Sequence, residues 1–157
     1  MEQKKYPLNL GKLVANFHSL EFALRAFLWN EEIASGITPS QSMKLDEVNR
    51  GDIVSENAFT NYDTLKKLIK KYNNKRKISA TDLMIDKTLV EIRDAIAHGR
   101  LSASTPSGSL KLLKFSPPEG NQVKVTYSIS MTEEWFIEQI ERTKNAVLKV
   151  RQANETL

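Results

Sequence analysis

From Leu10 onward, apolar side chains return every three or four positions: Leu10, Leu13, Val14, Phe17, Leu20, Leu24, Phe27 and Leu28. That spacing lines one helical face and predicts a long first helix over about 10–31. Asn9 stands where an N-cap is expected. Glu21 and Arg25, four apart in the favourable order, are expected to pair on the surface or beside an interface. The period is lost between about Ala34 and Phe59, where Gly36, Pro39, Gly51 and several serines and asparagines interrupt the chain. Irregular segments of this length are often functional, or are ordered by their neighbours.

The helical period returns with Tyr62, Leu65, Leu68, Ile69 and Tyr72, predicting a second helix capped by Thr60 or Asn61 and ending at Asn73-Asn74. Ser79-Ala-Thr-Asp82 has the spacing of a capping box with Asp in place of Glu, so a third helix is expected to open there. Leu83, Ile85, Leu89, Ile92 and Ile96 would face inward along it. Gly99 would end it in a left-handed conformation, leaving His98 in the last turn. Ser102–Ser109 is small, polar and proline-containing and reads as a loop. Ser109–Phe115 and Val123–Ser130 favour strands, the second alternating strictly through Val123, Val125, Tyr127 and Ile129, and Ser-Pro-Pro-Glu-Gly-Asn between them predicts a hairpin. Thr132 is expected to cap a last helix running to about Arg151, with Trp135, Phe136, Ile140, Val147 and Val150 as its core stripe. No repeat or linker divides the chain. The expected architecture is mainly α: one domain over 1–157, a four-to-five-helix up-and-down bundle, with an added β-hairpin at about 109–130 before the last helix.

Composition narrows the function classes. The chain has 157 residues, 40% hydrophobic and 27% charged, which suits an ordinary soluble domain with a core of its own. It has no cysteine, so disulfides, thiolate catalysis and zinc–thiolate sites are excluded. The first residues lead into an amphipathic stretch, and no run approaches the ~18–20 apolar residues of a membrane span. The cytoplasm is the expected compartment, with no membrane contact.

Charge is mild overall at +4 but uneven. Lys66, Lys67, Lys70, Lys71, Lys75, Arg76 and Lys77 follow one another without an acid. The block suits phosphate contacts with RNA, and it equally suits a solvated helix face.

No glycine-rich phosphate loop, nucleophile elbow or His-Glu-x-x-His motif is present. With only His18 and His98, a multi-histidine metal site within one chain is excluded. His18, beside the first helix's apolar stripe, reads as a partly buried or boundary residue. His98 has richer surroundings, Glu91-Ile-Arg93-Asp94-Ala-Ile-Ala-His98-Gly-Arg100. Asp94 and His98 lie four apart on one helical face, where the carboxylate is expected to fix one imidazole tautomer. Arg93, ~100° around the helix from Asp94, offers a planar fork for a phosphate. The negative end of the helix dipole suits His98 to a general acid, and Arg100 adds a cation just beyond the helix. The blander reading of the Asp94–His98 pair is simple electrostatics at a helix C-terminus.

Arg93-Asp94-Ala-Ile-Ala-His98 resembles the Arg-x(4–6)-His signature of the HEPN superfamily, including the polar residue after the arginine. The long first helix with Phe17, Leu20-Glu21 and Leu24-Arg25, the motif late in a central helix and the closing bundle helix look similar to that family too. The resemblance implies a homodimer whose two motif helices form one cleft, and a metal-independent endoribonuclease activity leaving 2′,3′-cyclic phosphate and 5′-hydroxyl ends. By the same resemblance Arg93 would hold the scissile phosphate, His98 would transfer the proton and Asp94 would orient one of them, with no metal or cofactor. Arg100, Lys66, Lys67, Lys70 and Lys71 would bind the RNA backbone. A toxin–antitoxin or phage-defence role, with an antitoxin or nucleotidyltransferase partner, is implied as well. The alternative within the same family is a non-catalytic RNA- or nucleotide-binding or protein-interaction module.

Overall fold

The computed structural model describes residues 5–37, 45–79, 81–103 and 110–156. Within them the chain is mainly helical, with a small antiparallel sheet before the last helix. Helix α1 spans Lys5–Ala34, α2 Leu65–Ser79, α3 Leu89–His98 and α4 Glu133–Asn154. Strands β1 (Arg100–Ser102), β2 (Leu110–Phe115) and β3 (Val125–Met131) lie between α3 and α4. The expected Ser102–Ser109 loop, the Ser109 start of the hairpin and the middle of the 34–59 segment fall largely outside the described residues.

The chain forms two compact units. One contains the residues up to Ser19 with Asp86–Ala146; the other contains Leu20–Ile85 with Val147 onward. Continuous helices α1 and α4 supply residues to both.

In the second unit Leu24, Phe27, Leu68, Ile69 and Tyr72 are buried, the Phe27 and Tyr72 rings meeting edge to face at 4.9 Å. Helix α2 starts later than the apolar spacing predicts, because Tyr62 is fully exposed and belongs to the irregular stretch before it. It also continues past Asn73-Asn74. Asn73 is buried there, and its side-chain amide donates to the Ile85 carbonyl and accepts from the Ile85 N–H, both at 2.8 Å. The Tyr72 hydroxyl donates to the Leu83 carbonyl at 3.0 Å, and burial pushes that phenol up to about 12. Leu83 and Ile85 are therefore buried as expected, but in a 3-10 turn (Thr81–Leu83) and an extended stretch rather than in a helix.

Helix α3 accordingly opens at Leu89, not at Ser79. Asp86 accepts from the Thr88 N–H at 2.9 Å and from its hydroxyl at 2.7 Å, and the Arg142 guanidinium donates to both Asp86 and Thr88 at 2.6 Å. Those bonds hold Asp86 below the usual carboxylate range although burial works against them. In this first unit Leu89, Ile92 and Ala95 of α3 are buried, as are Leu112, Met131, Trp135 and Phe136.

The expected hairpin is one strand larger. The sheet order is β1-β2-β3, with Leu101 opposite Leu112 and Leu112 opposite Ile129. Val123 and Val125 are half-exposed, so the buried part of the alternation lies at its far end, at Met131. Thr132 caps α4 as expected, its hydroxyl accepting from the Trp135 N–H at 3.1 Å.

Candidate functional site

Helix α3 leads into β1 through Gly99 alone, so the end of the helix and the edge of the sheet are built together. Gly99 is not left-handed: its φ of −77° and ψ of −179° are open to any residue. Space explains the glycine. A Cβ there would overlap the Ala95 carbonyl oxygen and lie 2.7 Å from Leu112 Cδ1 and 2.8 Å from the Leu113 oxygen. The Gly99 N–H also donates to Ala95 O at 2.7 Å. This tight seam fixes where β2 crosses the helix end.

The seam brings Lys114 to the motif. Its ammonium lies 3.8 Å from Asp94 Oδ2, while Arg93 Nη1 donates to Asp94 Oδ1 at 3.3 Å. Asp94 thus sits between two cations from α3 and β2. The three side chains are 30–40% exposed, so the pairs are weak and exchangeable rather than locked. Arg100 folds back, its Nη1 donating to the His98 and Gly99 carbonyls at 3.2 and 3.3 Å. That places a guanidinium on the unsatisfied carbonyls of the α3 C-terminus, where the helix dipole favours positive charge.

His98 is exposed in the last turn, as its position before Gly99 predicts. The expected Asp94–His98 bond is not made; Asp94 turns instead to Arg93 and Lys114, and among the described residues no side chain hydrogen-bonds the His98 imidazole. Three permanent cations (Arg93, Arg100, Lys114) against one carboxylate leave this helix end at +2, or +3 with His98 protonated. Chemically, such a surplus suits an anion, and His98 on the same helix end is a group able to carry a proton. Lys114 was not legible as part of it, because only the β1–β2 register and the crossing at Gly99 bring the two together.

Lys66, Lys67, Lys70 and Lys71 belong to α2 in the other unit and are all exposed. Their neighbourhood is less basic than the sequence run suggests. Asp63 pairs with Lys71 and, at 3.7 Å, with Lys67; Glu31 pairs with Lys75 at 3.0 Å and with Arg76 at 3.8 Å. Arg76 is buried, its guanidinium 4.7 Å from the centre of the Phe27 ring, so it is structural. A cleft of ≈ 370 Å³ in the same unit is lined by Glu31, Glu32, Lys71 and Lys75 among others. His18, expected at a boundary, is exposed.

Arg25 is the largest polar anchor that spacing alone undervalued. Besides the expected Glu21 pair at 3.1 Å, it donates to the carbonyls of Ala58 (2.8 Å), Asn61 (3.2 Å) and Asp63 (2.9 Å). The irregular segment before α2 is therefore tied to α1 largely through this guanidinium, with Glu32 accepting from the Ala58 N–H at 3.3 Å and the Phe59 ring packed beside Phe22 and Trp29.

Among the described residues no group of three or more metal-ligating side chains converges, and no helix is long and apolar enough to cross a membrane. No family model, curated protein or solved structure matches the chain.

Proposed function

We propose that this protein is a metal-independent endoribonuclease of HEPN type that acts as a dimer, in a toxin–antitoxin or phage-defence setting. The observation that supports it most is the grouping at the exposed end of α3 of His98 and Arg100 with Arg93 and Lys114, the last two held on the carboxylate of Asp94. An RNA phosphate entering this end exchanges with Asp94 for the two cations, gaining charge-assisted hydrogen bonds from Arg93. Asp94 keeps both cations in place until then. Its role is to position Arg93 and Lys114, not His98.

The reaction that fits is attack of the RNA 2′-hydroxyl on the adjacent phosphorus. The 2′-oxygen gives up its proton and forms the new P–O bond, the P–O5′ bond breaks, and the leaving oxygen takes a proton. Products are a 2′,3′-cyclic phosphate and a 5′-hydroxyl. Arg93 and Lys114 stabilise the negative charge that builds on the phosphorane oxygens. One His98 takes the first proton, and His98 of the partner subunit supplies the second.

The unpartnered His98 imidazole favours a second reading, an RNA-binding module without catalysis, because among the described residues nothing fixes its tautomer. The two separate on purified protein incubated with single-stranded RNA. The nuclease reading expects cyclic-phosphate ends, with cleavage lowered at least ~100-fold by His98→Ala while RNA binding is retained. Arg93→Ala is expected to lower both cleavage and binding. Intact RNA that nevertheless binds through Arg93 supports the module reading instead.

A further inference from the structure

Opposite charges are segregated around the ≈ 370 Å³ cleft of the second unit. The α1 side supplies acceptors: the carboxylates of Glu31 and Glu32, then the hydroxyl of Ser35, whose N–H donates to the Glu31 carbonyl at 3.0 Å one turn on. The α2 side supplies donors. Lys71, Asn74 and Lys75 are three and four residues apart and share one helical face. The apolar lining is Leu28 and Ala58, both buried, and Ile37, which is exposed.

Several polar groups of this lining are left without a protein partner. The Asn61 side-chain oxygen accepts from Arg25 at 3.1 Å and from the Asp63 N–H at 3.0 Å, but its NH2 group meets no acceptor among the described residues. No described residue hydrogen-bonds the Ser35 hydroxyl or the Asn74 amide. Lys75 reaches across to Glu31 at 3.0 Å, and its half-exposed ammonium makes that pair weak and exchangeable. Glu31 has a second anchor, buried Arg76 at 3.8 Å, which holds it when Lys75 moves away.

We propose that this cleft binds a free α-amino acid with an aliphatic side chain. The ligand enters the Lys75–Glu31 pair and makes two ion pairs of one. Its ammonium takes Glu31 and the Ser35 hydroxyl; its carboxylate takes Lys75 and the amide N–H groups of Asn74 and Asn61. The two charges of an α-amino acid sit one carbon apart, so Lys75 has only to draw back, and Lys71 stays with Asp63. The side chain then lies on Leu28, Ala58 and Ile37, where it leaves water. Two acids and two bases give the lining no net charge. A lone anion therefore meets Glu31 and Glu32, and a lone cation meets Lys71 and Lys75, so one-signed ligands are disfavoured. The volume is at the small end of the ~300–1,000 Å³ of small-molecule sites, which suits one amino acid better than a peptide or a nucleic acid strand. The site rests on residues of the second unit alone and is independent of the nuclease reading.

The test is isothermal titration calorimetry of the full chain with L-leucine, with isoamylamine, which lacks the carboxylate, and with isocaproate, which lacks the ammonium. L-leucine is expected to bind saturably, and each truncated molecule at least ~10-fold more weakly, the loss of one charge-assisted end. Lys75→Gln should weaken L-leucine at least ~10-fold and Asn74→Ala about 3-fold, both at exposed positions that leave the fold intact. Glu31→Gln should abolish detectable binding. That change also takes the carboxylate from Arg76, so its folding is checked by circular dichroism, and the two α2 variants decide the question if it unfolds. No saturable heat with L-leucine, isoamylamine or isocaproate binding as tightly as L-leucine, or an unchanged affinity in Lys75→Gln overturns the assignment. L-leucine binding by a protein that leaves RNA intact upholds the cleft and counts against the nuclease reading alone.

Discussion

At the scale of single residues, glycine and aspartate do different work from what their sequence context suggests. Gly99 is needed because two backbone oxygens and Leu112 crowd the place of its Cβ. Gly99→Ala should therefore lower unfolding stability by about 2–3 kcal/mol through forced repacking, read from urea denaturation, while RNA contacts by Arg93 persist in the folded fraction. A left-handed glycine would have predicted tolerance of asparagine; the crowded seam predicts none. Asp63 carries a pH dependence. Its hydrogen bond from Lys71, helped by the nearby positive charges of Lys67 and Arg25, holds its carboxyl below the ordinary aspartate value of 3.8. A depressed folded-state pKa means the contribution is fully present above about 3.8 and is lost as pH falls from there through the folded value. Asp63→Asn should remove that part of the acid-side decline in melting temperature; an unchanged acid limb would contradict the assignment. Arg93 and His98 were legible at this scale because their types and spacing are chemical. Lys114 was not, because nothing in Leu110–Phe115 tells which helix end that strand crosses.

At the scale of elements, the four helices and both long strands among the described residues are legible in the sequence, and the structure departs from the pattern at their ends. Periodicity ran α3 together with the stretch before it, since Leu83 and Ile85 are buried at helix-like spacing without being helical. What distinguishes them is Asn73, whose amide satisfies the Ile85 backbone on both sides and so replaces helical hydrogen bonds. No local pattern announces such a long-range bond. Strand β1 was missed for a related reason: three residues after a glycine carry too little pattern, and they become a strand only because β2 is there to pair with. The irregular segment before α2 depends on Arg25 in the same way. Arg25→Ala should cost about 2–4 kcal/mol by orphaning three backbone carbonyls and Glu21, and Arg25→Lys should recover only a minor part, because one ammonium cannot reach the spread of acceptors that a planar fork does. Full recovery by lysine, measured by thermal melts, would show that charge alone matters there.

At the scale of the whole molecule, a net charge of +4 is too small to draw RNA in by general attraction, so the proposed function requires binding by local groups. The α2 lysines are partly neutralised by Asp63 and Glu31, whereas the α3 end keeps a surplus of +2 from Arg93, Arg100 and Lys114 against Asp94. On the proposed function, that difference ranks the α3 end above the lysine run as the place for a phosphate. Removing Arg93 should accordingly reduce the salt slope of RNA binding by about one, and removing Lys66 should change it less. The central claim is that this helix end cuts RNA. Its most direct test is end-group analysis of RNA exposed to purified unmodified protein, Arg93→Ala and His98→Ala, all verified as folded. The expected result is 2′,3′-cyclic phosphate and 5′-hydroxyl ends with the unmodified protein and their loss in both variants. Intact RNA with the folded unmodified protein, or equal cleavage by His98→Ala, would contradict it.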